Sequence, residues 1–111
     1  MPTTPKAFFD DVIGPRIQKN PERAKKIGGI YEFVLDGTDG GTWVVDLNSA
    51  VVKPASAGDS NVVISMSTAD FLELVAGRLN EMTAFMRGKI KIQGNIAMAL
   101  KLRDLLQPSG W

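Results

Sequence analysis

The chain has 111 residues, 44% of them hydrophobic and 23% charged, with a net charge of +1. That length suits one domain around one core, and so small a charge sets up no strong field for nucleic acid. There is no cysteine and no histidine, which excludes disulfides, thiol catalysis, thiolate metal sites and a Ser-His-Asp triad.

The N-terminal MPTTPKAFFDD has no long apolar run behind a basic start, so it does not read as a secretory signal. No stretch approaches the roughly 20 apolar residues of a membrane span. The C-terminal PSGW is not a peroxisomal Ser-Lys-Leu address. The expected location is the cytosol.

Residues 6 to 26 read as mostly helical, since Phe8, Phe9, Val12, Ile13 and Ile17 recur at helical spacing. Gly14-Pro15 predicts a kink or break. Asn20 is placed to cap a second short helix that begins at Pro21. Residues 1–27 carry six cations and three anions, a local +3. That face is either a solvated helix surface or a weak, basic membrane-docking surface.

Gly28-Gly29 ends the helical part. IYEFVLDG alternates, with Tyr31, Phe33 and Leu35 on one face, and enters the turn DGTDGG. TWVVDL returns with Trp43, Val45 and Leu47 on one face. Asn48-Ser49 turns into a third strand, Ala50 to Lys53, which Pro54 stops before the loop ASAGDS. These three strands predict an antiparallel meander.

NVVISMS is a fourth strand that alternates Val62, Ile64 and Met66 inward. It runs into a helix capped by Ser67-x-x-Asp70, carrying Phe71, Leu72, Leu74 and Val75 and stopping at Gly77. Asn80 caps a short helix whose apolar face is Met82, Phe85 and Met86, and Gly88 ends it. KIKIQ predicts a fifth strand over residues 89–93 with Ile90 and Ile92 inward. Gly94-Asn95 starts one last helix, with Met98, Ala99, Leu102, Leu105 and Leu106 on its apolar face, widened by Ile96 and Leu100; Gln107-Pro108 ends it.

The fold class is α+β: about five strands in one sheet, with helices on one face. Tyr31, Phe33, Leu35, Trp43, Val45, Leu47, Ile90 and Ile92 can all point toward those helices. The cluster Met82, Phe85, Met86, Met98, Leu102, Leu105 and Leu106 has two readings on periodicity alone, the domain's own core or the wall of a cavity. The GGT at Gly40 to Thr42 leads into a strand, so it is no phosphate loop. Asp10-Asp11 and Asp36/Asp39 lack a calcium-loop pattern. No metal and no cofactor is expected.

From Lys25 to Pro108 the sequence resembles the sterol carrier protein type 2 family. The resemblance is carried by KKIGGIYEF, GGTWVVDL, ISMSTADFLELVAG and, most specifically, RLNEMTAFMRGKIKIQGNIAMALKL. It implies one lipid-binding domain over residues 1–111, with a looser N-terminal helical region at 1–27 and its core at 28–108. It implies a single mixed sheet with helices on one face, enclosing a hydrophobic tunnel. The implied function is non-enzymatic binding and transfer of a fatty acid, fatty acyl-CoA, sterol or phospholipid. The lipid-facing residues would be Phe33, Trp43, Val45, Ile64, Met66, Phe71, Leu74, Val75, Leu79, Met82, Phe85, Met86, Arg87, Ile90, Ile92, Met98, Ala99, Leu102, Leu105 and Leu106.

Many family members carry Phe-Gln-Gly where this chain has Met86-Arg87-Gly88. A flexible methionine and an arginine there favour an anionic acyl lipid over a sterol. The expected partners are a lipid ligand and, transiently, a membrane surface met by the basic N-terminal region. No nucleic acid is expected, and a monomer is favoured. The alternative is a protein-interaction or dimerisation module that buries the same apolar face without lipid. An enzyme using Asp, Glu or Tyr31 is the remaining rival.

Overall fold

The computed structural model describes residues 4–54 and 58–107. The loop expected across 55–57 and the helix stop expected at Pro108 lie outside the described residues. The N-terminal part is α1 (Pro5–Ala7), a π-helix (Phe8–Ile13), α2 (Gly14–Lys19) and α3 (Pro21–Ile27). The break expected at Gly14-Pro15 is absent. Proline lacks an N–H, and in a regular α-helix its ring collides with the carbonyl four residues back. The wider π turn, in which the Gly14 N–H donates to the Phe9 carbonyl, carries the chain through. Asn20 does not cap α3 with its side chain. Its Nδ2 donates back to the Arg16 carbonyl at 2.9 Å, closing the end of α2.

The strands are β1 (Ile30–Asp36), β2 (Gly41–Asp46), β3 (Val51–Lys53), β4 (Val62–Ser67) and β5 (Lys91–Gly94). They form one sheet in the order β3-β2-β1-β4-β5. The β1–β2 and β2–β3 pairs make the expected antiparallel meander, β4 lies parallel to β1, and β5 is antiparallel to β4 at one edge. The third strand starts at Val51, not Ala50, because Ala50 turns the chain with a φ of 56°. Asp46 fixes that turn: its Oδ1 accepts the N–H groups of Asn48 and Ser49, both at 3.0 Å. The fifth strand starts at Lys91, not Lys89. The Lys89 N–H donates instead to the Ala84 carbonyl at 2.8 Å.

The remaining helices are α4 (Thr68–Val75), α5 (Glu81–Met86), α6 (Ile96–Ala99) and α7 (Leu102–Leu106). Ser67, Asn80 and Asn95 cap α4, α5 and α6 through their side chains. The single helix expected from Asn95 to Leu106 is two. The Met98 carbonyl accepts the Tyr31 hydroxyl at 2.7 Å and the Lys101 N–H at 3.0 Å. That closure, three residues apart, interrupts the α-helical ladder at Leu100-Lys101.

Register carries one apolar face across the sheet: Phe33 pairs with Trp43 and with Ile64, and Ile64 pairs with Ile92. Against it Phe9 is fully buried, its ring 5.2 Å from Trp43, 5.3 Å from Phe33 and 5.3 Å from Phe71 between centroids. The N-terminal helical region thus uses its apolar stripe in the core. Arg16 then ties it to the other end of the chain. One Nη donates to the carbonyls of Leu105, Leu106 and Gln107 at 3.0, 3.1 and 3.3 Å, groups that the end of α7 leaves unsatisfied. Gln107 Nε2 donates to the Leu74 carbonyl at 3.1 Å, joining α7 to α4.

Candidate functional site

The segment from α5 through β5 to α7 folds around an apolar cleft at the edge of the sheet. Asn80 opens it, its Oδ1 accepting from Met82 N–H at 2.9 Å and Thr83 N–H at 3.1 Å. At Gly94 φ is +96°, and a Cβ would stand 2.5 Å from the Asn61 carbonyl oxygen. Only glycine lets the chain leave β5 so close to β4.

The cleft measures about 110 Å³ and is lined by Met82, Phe85, Ile90, Ile92, Ile96, Ala99, Leu100 and Leu102, together with Glu81. Ile90, Ala99 and Leu102 are buried and form its floor, while Met82, Phe85, Ile96 and Leu100 are exposed at its mouth. Eight of its nine lining residues are apolar, so the space can hold hydrocarbon but offers little to orient a polar group. Glu81 also borders a separate polar groove of about 580 Å³, shared with Arg78, Arg103, Asp104 and Gln107. There Glu81 pairs with Arg103 at 3.7 Å. Arg78 bonds both carboxylate oxygens of Glu73, which holds that carboxyl below its ordinary pKa and raises the guanidinium.

Of the residues expected to face lipid, the structure brings Met82, Phe85, Ile90, Ile92, Ala99 and Leu102 to this cleft. Phe33, Trp43, Val45, Ile64, Met66, Phe71, Leu74, Met98, Leu105 and Leu106 are buried in the protein's own core, and Val75 and Leu79 pack against it half-buried. Met86 is 82% exposed. Arg87 closes the end of α5 in solvent and is not part of the lining. Ile96 and Leu100 line the mouth although the sequence marked them only as broadening a helix face. The reason is that α6 is too short to bury its full circumference. The space where a tunnel was expected, between the sheet and the helices, is filled by Phe9, Phe33, Phe71 and their neighbours.

Tyr31 cannot serve as a base here. Its side chain is fully buried and donates to the Met98 carbonyl, and burial, with help from the Asp104 charge, pushes its pKa up to about 12. The neutral phenol is the form the fold favours. Its contribution to stability is therefore complete below the unfolded value of about 10 and is lost as pH rises toward the folded value. It is the chain's one tyrosine, so the measurement is clean. Tyrosinate absorbance is expected near pH 12 in the native chain and near pH 10 in urea. A native titration near 10 would mean that the hydroxyl is free.

The sequence profile described as the SCP-2 sterol transfer family matches residues 11–107. Among curated proteins, the chain is 48% identical over 80 residues to hydroxysteroid dehydrogenase-like protein 2 of Rattus norvegicus, covering 69% of this chain and 15% of that one. It is 43% identical over 112 residues to human sterol carrier protein 2, covering 91% of this chain and 20% of that one. The chain thus spans a fifth or less of the length of these two relatives. Among solved structures it is similar to sterol carrier protein domain 2 of Helicoverpa armigera, with 32% identity, a TM-score of 0.74, and coverage of 96% and 89% of the two chains. Sterol carrier protein 2 from Aedes aegypti, solved in complex with the C16 fatty acid palmitate, shares the fold at 17% identity, with a TM-score of 0.69 and coverage of 85% and 86%.

Proposed function

The chain belongs to the SCP-2 sterol transfer family, and we propose that it binds a long-chain lipid in the cleft between α5, β5, α6 and α7 and carries it without transforming it. The observation that carries this reading is the cleft's composition: eight apolar lining residues, an open mouth, and one ionisable group, Glu81. Hydrocarbon gains about 0.8 kcal/mol for each methylene taken out of water. The palmitate held by the mosquito neighbour supports an acyl chain as the apolar part.

At about 110 Å³ the cleft is smaller than the roughly 300–1,000 Å³ of typical ligand pockets. Ligand entry therefore requires the walls to part. The six-residue α5 suits that, because so short a helix has little stability of its own and depends on packing. No chemistry is assigned to the site. The chain has neither histidine nor cysteine, and Tyr31 is held neutral.

Displacement of a fluorescent fatty acid tests the reading. Saturable displacement by palmitate at micromolar concentration is expected, with one lipid per chain in native mass spectrometry. The reading fails if neither a bound lipid nor saturable displacement is found.

A further inference from the structure

Among the described residues, the large hydrophobic side chains left exposed are Met82, Phe85, Met86, Ile96 and Leu100. All fall within one segment of the chain. Four of them rim the cleft, and the fifth, Met86, stands in solvent beside Arg87. Scattered single exposures need no explanation, but a contiguous group does.

The same segment is charged in one sense only. From Met82 to Arg103 there are five cations, Arg87, Lys89, Lys91, Lys101 and Arg103, and no aspartate or glutamate. Since the whole chain nets +1, everything outside this segment nets −4. Arg87 and Lys89 are exposed where the chain leaves α5, and Lys101 is exposed between Leu100 and Leu102 with its Nζ 3.5 Å from the Ile27 carbonyl; Lys91, next to Ile92 on β5, faces the other side of the sheet. The nearest acids, Glu81 and Asp104, sit just beyond the two ends of the segment, and Glu81 is paired with Arg103 at 3.7 Å.

We propose that this face is a docking surface for an anionic bilayer, with Met82, Phe85, Met86, Ile96 and Leu100 entering the headgroup boundary and Arg87, Lys89 and Lys101 meeting lipid phosphates and carboxylates. Exposed apolar side chains with cations close by in the chain are what an interfacial surface requires. A second copy of the chain fits poorly, because it would bring Arg87 and Lys89 of one copy close to those of the other with no acid between residues 82 and 103 to offset them. The N-terminal helices are the weaker candidate. Their apolar stripe is buried in the core, Lys6 is paired with Asp10 at 2.6 Å, and Arg16 is bonded to the end of α7. Docked this way, the cleft mouth opens into the bilayer, so that lipid enters without crossing water; this last clause rests on the carrier reading above.

The test is cosedimentation of the full chain with phosphatidylcholine vesicles, with and without phosphatidylserine. Binding is expected only to the serine-containing vesicles and is expected to disappear near 1 M salt, where screening acts within about 3 Å. Lys89→Gln and Lys101→Gln are each expected to weaken partition about fivefold, and together about thirtyfold. Met86→Asp is expected to abolish it with no change in thermal stability. Lys6→Gln with Lys19→Gln, on the N-terminal helices and outside the groove that Lys101 shares with Lys26, is the control and is expected to change partition less than about twofold. Equal binding to both vesicle types, or a larger loss from the N-terminal pair, would overturn the proposal. So would a concentration-dependent dimer that Met86→Asp dissociates, which would give the face to a second copy. Fatty-acid displacement is measured separately, without vesicles. Lost vesicle binding with displacement intact overturns the surface alone, and the converse overturns the carrier reading alone.

Discussion

Phe9→Ala is expected to destabilise the chain by about 3–5 kcal/mol. Phe9 has no solvent exposure, and its ring touches partners from three different parts of the chain: Trp43 and Phe33 of the sheet, Phe71 of α4, and its neighbour Phe8. Removing it leaves a cavity that stiff surrounding rings cannot collapse to fill. A domain of this size has only about 5–15 kcal/mol to lose. The midpoint of thermal unfolding is expected to drop by about 10–20 °C. A drop of only a few degrees would show that Phe8 or Trp43 moves in to replace the ring, and that Phe9 is not the hub of the core.

Ala99→Leu is expected to weaken fatty-acid binding at least about tenfold while leaving thermal stability equal or slightly higher. Ala99 is buried in the floor of the cleft. The space above it equals the share of about four water molecules. Three added carbons occupy much of it, and excluding two methylenes of ligand at about 0.8 kcal/mol each accounts for the lost affinity. Filling a pre-existing void often stabilises a fold. Ala97→Leu, an exposed neighbour, is the control and should change neither quantity. Unchanged affinity in a more stable Ala99→Leu chain would place the ligand's path elsewhere.

Much of the fold was legible because its signals are local. The alternation of Tyr31, Phe33 and Leu35 marks a half-buried strand whatever surrounds it, and their partners Trp43, Val45 and Ile64 do carry the same face across the sheet. Ser67, Asn80 and Asn95 cap helices for reasons confined to one turn. The parallel pairing of β1 with β4 was not read from the sequence: the resemblance implied only a mixed sheet, and no residue in either strand specifies its partner. What the sequence concealed depends on distant contacts. The π turn at Phe8–Ile13 reconciles a proline with a helix that the core requires, and the interruption at Leu100 follows from a tyrosine 67 residues upstream of Met98.

The site was half legible for a related reason. Periodicity marks an apolar face but not what covers it. Leu105 and Leu106 are covered by the rest of the protein, whereas Met82 and Phe85, equally apolar and equally periodic, are left open. Arg87 looked well placed next to the helix end, yet the backbone turn at Gly88 leaves it outside the lining.

The long-range hydrogen bond from Arg16 to the last carbonyls of α7 bears on how the cleft breathes. With α7 bolted at its far end by Arg16 and α6 latched by Tyr31, two sides of the opening form a fixed frame. The third side, α5, hangs between Gly77 and Gly88, both at positive φ with empty space around them. It is joined to α7 by the stretched Glu81–Arg103 pair. Widening of the cleft is therefore expected to come from α5 and not from α6 or α7.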